Sequence, residues 1–143
     1  MKIQTTIEKV EVEKITYIAE DGKEFQDKQK CLQYEKDLLI AKLKPQFKEL
    51  DMLVLDDCIH EEEQMYLIIV NGKSDWNIIK AYFEDEYCDV NIEEPKSYPA
   101  NMVFTTTDCA VYGESLKFRE VLEIFKEYHN KVADFVFNRD IFI

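Results

Sequence analysis

Cys58 and His60 have side chains and a spacing that could do chemistry. Residues two positions apart share one face of a strand, where they could act as nucleophile and base or as two metal ligands. The sequence around them contains no GxSxG, HExxH or cysteine-protease motif. We therefore favour a partly exposed histidine beside a buried thiol over a catalytic or metal-binding pair.

The four cysteines are Cys31, Cys58, Cys88 and Cys109, and no two of them form a CxxC or CxC pair. Zinc sites usually draw their ligands in close pairs, because a tight turn then presents two thiolates to one ion. Each cysteine here stands among apolar neighbours. The spacing predicts reduced, metal-free thiols that are buried or half-buried.

Other catalytic patterns are also missing from the sequence. The three glycines cannot build a phosphate-binding loop, and neither GxGxxG nor GxxxxGK[ST] occurs. Residues 21–23 and 94–96 match the acid-x-Lys fragment of metal-dependent nucleases, but they lie in a turn and in a proline-containing loop. The EF-hand pattern is absent. We predict a protein that is not an enzyme and that uses no metal or cofactor.

Charge is the most unusual bulk property of the chain. The net charge is −12, and the segment 56–94 carries twelve acids against two lysines. Such a field repels nucleic acid and anionic membranes and favours basic partners. The acids are either a solvated face or a surface for a basic protein, and for the second case we predict these partner-binding residues: Asp56, Asp57, Glu61, Glu62, Glu63, Glu84, Asp85, Glu86, Asp89, Glu93 and Glu94.

The pattern of apolar residues predicts an α+β fold with an antiparallel or mixed sheet and about three helices. Residues 3–19 alternate as one bulged strand or two shorter ones, and Asp21-Gly22 marks a tight turn before a short return strand. The chain is predicted to form a single domain, with a hairpin and helix in 1–50, an acidic centre in 51–100, and a strand and helix in 101–143.

Three helices are indicated by apolar residues three or four positions apart. Asp27 is predicted to cap the first helix, Ser74 or Asp75 the second, and Ser115 the third. Residues 88–100 contain two prolines and are predicted to form a loop. The predicted apolar face of the third helix comprises Phe118, Val121, Leu122, Phe125, Tyr128, Val132 and Phe135.

The two ends of the chain differ in hydrophobicity. The first residues lack the apolar core of a secretory signal, and no segment is long and apolar enough to span a bilayer, which predicts a cytoplasmic protein. The last three residues, 141–143, are all large and apolar. We expect them to dock on the core or on a second subunit of a homodimer.

The segment Tyr17-Ile-Ala-Glu-Asp-Gly-Lys-Glu-Phe25, continuing to Cys31-Leu-Gln-Tyr-Glu35, resembles the opening of small phage and mobile-element accessory proteins of low-GC Gram-positive bacteria. The shared pattern is a hairpin with Asp-Gly at its tip and a helix that carries Cys-x-x-Tyr-Glu. Anti-CRISPR and other anti-defence proteins belong to that setting. The resemblance covers about a sixth of the chain and implies a genomic setting and no catalytic residue.

Together these features favour a noncatalytic binding protein. We predict a phage-type inhibitor of a bacterial defence complex, such as a CRISPR-Cas effector, that acts through an acidic, nucleic-acid-mimicking surface. Its partner would be a basic protein surface, with no direct contact to nucleic acid or membrane. Two alternatives stay open: a protein that sequesters a nucleotide signal, and a structural or assembly protein of a phage.

Overall fold

The computed structural model describes residues 1–7, 13–56 and 63–139. The chain divides into two compact units, Met1–Lys48 (unit 1) and Glu49–Ile143 (unit 2). The described residues form three α-helices, an antiparallel three-stranded sheet and a mixed five-stranded sheet. The predicted α+β class is therefore confirmed.

Unit 1 is a small antiparallel sheet followed by a helix. The sheet has the order β1-β2-β3, and the described part of the alternating segment forms two separate strands. Its elements are β1 (Lys2–Ile7), β2 (Glu13–Ile18), β3 (Glu24–Phe25) and α1 (Lys28–Leu43). A 3₁₀ helix, Lys44–Glu49, follows α1 along the chain.

The predicted Asp-Gly turn joins β2 to β3. Gly22 has a φ of 92°, a left-handed conformation that glycine adopts without steric cost. The Ala19 N–H donates to the Lys23 carbonyl at 2.9 Å. The Asp21 carboxylate accepts the Lys23 N–H at 3.1 Å and the Tyr34 hydroxyl at 2.6 Å, which fastens the turn to α1. The hydrogen bond to Asp21 raises the pKa of Tyr34.

Unit 2 is a five-stranded sheet with the order β4-β5-β7-β8-β6. Neighbouring strands are antiparallel except for β6, which runs parallel to β8 at one edge. The elements of unit 2 are β4 (Met52–Asp56), β5 (Gln64–Val70), α2 (Lys73–Glu86), β6 (Asp89–Asn91), β7 (Ala100–Thr106), β8 (Ala110–Ser115) and α3 (Phe118–Asn138).

The core of unit 2 lies between α2 and one face of the sheet. The Phe83 ring of α2 lies 5.1 Å from Phe104 of β7 and 5.6 Å from Tyr66 of β5, centroid to centroid. Gly113 of β8 is the register partner of Phe104. The fully buried side chains of this core are Ile68, Val70, Ile79, Phe83, Met102, Phe104 and Val111.

The predicted helix caps are partly right. Asp27 caps α1, because its carboxylate accepts a first-turn N–H at 2.8 Å. The prediction of Ser74 or Asp75 as the cap of α2 is wrong, since the helix begins earlier and Gly72 is its N-cap. The Asp75 carboxylate instead accepts the N–H of Asn71 at 2.9 Å, on the turn before the helix.

Two further predictions need correction. Ser115 does not cap α3, because it is the last residue of β8 and pairs with Met102; the N-cap is Lys117. The predicted loop 88–100 contains the strand β6. β6 is only three residues long and is stabilised by pairing with β8. Because the strand is so short, its pattern of apolar residues cannot be recognised in the sequence.

None of the helices in the described ranges combines the length and apolarity needed to cross a membrane. The apolar segment 141–143 lies outside the described residues, so its docking stays a prediction.

Candidate functional site

The topology of unit 2 brings several strand ends together at one end of the five-stranded sheet. β4 finishes there at Asp56. β5 begins there at Gln64, which pairs with Thr106 at the end of β7. β6 begins there at Asp89, which pairs with Ala110 at the start of β8. Because α2 connects the far end of β5 to the start of β6, the helix also finishes at this end.

Seven exposed carboxylates occupy this end, and we call them the acidic end. No lysine or arginine occurs in the described stretches of backbone that carry them, which are residues 56, 63–64, 84–89 and 106–110. Lys80, one helical turn before Glu84, lies 3.9 Å from that carboxylate. The acidic end consists of Asp56, Glu63, Glu84, Asp85, Glu86, Asp89 and Asp108.

The structure divides the predicted partner-binding residues into three groups. Six of them belong to the acidic end. Glu93 and Glu94 lie after β6, away from it. Asp57, Glu61 and Glu62 lie outside the described residues.

One member of the acidic end, Asp108, was missed by the sequence analysis. It lies outside the acidic segment 56–94 along the chain, but the β7–β8 turn carries it to the same end of the sheet. What the sequence lacks is the order of the strands.

Glu94 is part of a separate cluster near the start of α2. Its carboxylate accepts the Lys73 ammonium at 2.7 Å and the Tyr98 hydroxyl at 2.7 Å. The hydrogen bond from Lys73 lowers the pKa of Glu94, while burial and the bond to Glu94 raise the pKa of Tyr98 to about 12. At 1.5 Å per residue, about 20 Å of helix separates Lys73 from Glu86.

The C-terminus of α2 strengthens the negative electrostatic field of the acidic end. Glu84, Asp85 and Glu86 form the last turn of α2, where unpaired carbonyls give the helix terminus a partial negative charge. Placing carboxylates there is locally unfavourable for folding by about 0.3–1 kcal/mol. The Asp56 carboxylate accepts the Gln64 side-chain N–H at 2.8 Å, and Asp89 accepts that of Asn91 at 3.0 Å. Both hydrogen bonds restrict the directions in which the carboxylates point.

Two thiols, Cys88 and Cys109, lie among these acids. The N–H groups of Cys88 and Asp89 both donate to the Cys109 carbonyl, at 3.0 Å each. The negative charge of Asp108 is the main cause that raises the pKa of the Cys109 thiol. Reactive cysteines need a lowered pKa, so the acidic end is a poor setting for nucleophilic chemistry at Cys109.

The predicted burial of the cysteines is right for Cys31 and wrong for Cys88 and Cys109, which are exposed. Both exposed residues precede short strands in turns, where apolar sequence neighbours do not enclose them. Cys58 and His60 lie outside the described residues. In the ranges that are described, no three His, Cys, Asp or Glu side chains are grouped so that they could hold a metal ion.

A groove of about 730 Å³ lies at the start of β7 and the end of β8, away from the acidic end. Its charged lining consists of Lys96 and Lys117 together with Glu93, Glu94 and Glu114. The volume suits a small molecule. Three carboxylates against two ammonium groups disfavour an anionic ligand.

The acidic end is therefore the strongest candidate for a functional surface, and its exposed carboxylates suit electrostatic binding. Comparison of the chain with protein-family models, curated protein sequences and solved structures found no match.

Proposed function

We propose that this protein is a noncatalytic binding protein whose acidic end contacts a basic surface of another protein. The observation that carries the proposal is the convergence of seven exposed carboxylates, from four separate stretches of the described sequence, at one end of unit 2. A solvated face that only aids solubility needs no such convergence.

The spacing of the carboxylates supports mimicry of a nucleic-acid backbone. Asp56 lies on β4 and Asp89 on β6, at opposite edges of the sheet, with Glu63 and Asp108 between them. Four strand spacings of about 4.8 Å make this row about 19 Å long. DNA likewise presents regularly repeated negative charges to the lysines and arginines of its binding proteins. Carboxylates spaced along a sheet end can compete for the same cations.

We further propose that the partner is a nucleic-acid-binding effector of a bacterial defence system and that inhibition takes place in the bacterial cytoplasm. Support comes from the resemblance of residues 17–35 to phage accessory proteins. The hairpin tip and helix that define this resemblance correspond to the Gly22 turn and α1 of unit 1. Defence effectors hold nucleic acid in positively charged channels, which suit an acidic occupant.

A triple variant, Glu84→Gln, Asp85→Asn and Glu86→Gln, tests the proposal. Purified CRISPR effectors and other defence nucleases would be incubated with a fluorescent DNA duplex and increasing amounts of wild-type protein. We expect the wild type to displace the duplex from one of them and the variant to do so about tenfold more weakly, because three lost charge contacts of about 0.5 kcal/mol each total about 1.5 kcal/mol.

The matched control is Glu93→Gln, Glu114→Gln and Glu120→Gln, which removes three exposed charges away from the acidic end. It should inhibit as the wild type does. Circular dichroism would verify that both variants fold. Equal inhibition by both triple variants would show that the acidic end is only a solvated surface, and failure to inhibit any effector would contradict the proposed partner.

Sequestration of a nucleotide signal is the second candidate function. The groove that contains Lys96 and Lys117 has the volume for a nucleotide, but its three carboxylates outnumber the two ammonium groups, so this function ranks below protein binding. Titration calorimetry with cyclic nucleotides distinguishes the two proposals. Micromolar binding that is lost in Lys96→Gln and Lys117→Gln would favour sequestration over protein binding.

A further inference from the structure

The apolar residues of α3 follow a heptad repeat. Their spacing alternates between three and four residues through most of the 21-residue helix. This spacing is typical of helices that pack side by side, because it keeps one seam facing the neighbouring helix. The residues of the seam are Phe118, Val121, Phe125, Tyr128, Val132 and Phe135.

Most of this seam is exposed. Among the described side chains of α3 only Val121 is buried, while Phe125 is 42% exposed and Val132 is 63% exposed. α2 of the same unit behaves differently, since its Ile79 and Phe83 have no exposed surface. An uncovered helix face of this kind on a monomer marks an interaction surface.

The exposed area approaches what a stable dimer needs. A large aromatic side chain has about 150–250 Å² of surface. Leu122 and Ile124 flank the seam and are themselves about half exposed. Together with the seam they present on the order of 600 Å² of apolar surface, against about 800 Å² per partner in a standard protein–protein interface.

A groove beside the seam offers space for a side chain of the neighbouring helix. Its volume is about 320 Å³, and its lining combines Leu55, Met65 and Phe125 with Asp56 and Glu63 of the acidic end. Phe125 thus belongs to both the seam and the groove. A large side chain from a second helix packed on the seam could fill this space.

We propose that the occupant of this face is a second copy of the chain, with two α3 helices packed through their heptad seams in a twofold dimer. A heptad seam is self-complementary, and a twofold axis brings the same patch of both copies together. The inference goes beyond the proposed function: the groove beside the seam adjoins the acidic end, but the dimer requires no basic partner.

Sedimentation equilibrium of the full chain between 1 and 100 μM tests the dimer. We expect a mass of twice the chain mass of 17.0 kDa. In the double variant Tyr128→Glu and Val132→Glu, four buried charges would oppose association, and we expect the monomer mass throughout this range. Because both side chains are more than half exposed in the single chain, the variant should retain its fold.

The control is Lys126→Gln and Asn130→Glu on the opposite side of α3, which changes the net charge by the same amount and should leave the dimer intact. A monomeric wild type at 100 μM would overturn the proposal, and a lowered melting temperature of the monomeric double variant would then show that the chain itself covers the face. A dimeric double variant would also overturn it, since the dimer would use another surface.

Discussion

Gly113 is the one glycine of the chain at which an added Cβ atom would meet other atoms within 4 Å. A Cβ atom at this position would lie 2.5 Å from Cδ1 and 2.6 Å from Cε1 of Phe104, whose ring is fully buried beside Phe83. Gly113→Ala should lower the free energy of unfolding by about 1–3 kcal/mol, the usual cost of overpacking, as measured by urea denaturation. In a double-mutant cycle, Phe104→Leu should relieve part of that loss. Additive effects of the two changes would mean that the Phe104 ring does not cause the strain.

Cys109 should react slowly with neutral alkylating reagents. Asp108 raises the pKa of the thiol, so less thiolate is present at a given pH, and the rate of reaction with iodoacetamide should reach half its maximum above the usual range near pH 8.5. Asp108→Asn should lower this midpoint and increase the rate at pH 8, whereas Glu114→Gln should leave both unchanged. Mass spectrometry of the peptide that contains Cys109 follows this thiol alone. An unchanged midpoint in Asp108→Asn would contradict the assigned cause.

At the scale of elements, local signals decided which parts of the fold the sequence could predict. The turn at Gly22 and the cap at Asp27 were predictable because the residues that form them are adjacent in the chain. α2 was predictable as a helix because its apolar residues recur at helical spacing. β6 could not be predicted, since the β8 strand that stabilises it lies about twenty residues further along the chain.

The candidate site, too, could be predicted only where its residues lie close together in the sequence. Six of its seven acids lie in a segment that the charge pattern marks, so the sequence could indicate them. Only the strand order shows that Asp108 belongs with them and that Glu93 and Glu94 do not. The cluster of Glu94 with Lys73 and Tyr98 also depends on tertiary contacts, which no spacing along the chain indicates.

At the scale of the whole molecule, the two proposed interaction surfaces differ in chemistry and should respond oppositely to salt. Exposed charges are screened within about 10 Å at 0.1 M salt, so the affinity of the acidic end for a basic partner should fall roughly tenfold or more between 50 and 200 mM NaCl. The seam of α3 is apolar, and reduced repulsion between two chains of net charge −12 should leave the dimer as stable or more stable at higher salt. Fluorescence anisotropy and sedimentation on the same samples measure both responses.

The triple variant of Glu84, Asp85 and Glu86 should show a shallower salt dependence of partner binding and an unchanged dimer mass. A partner affinity that is independent of salt would place the contact on an apolar surface and contradict the role of the acidic end.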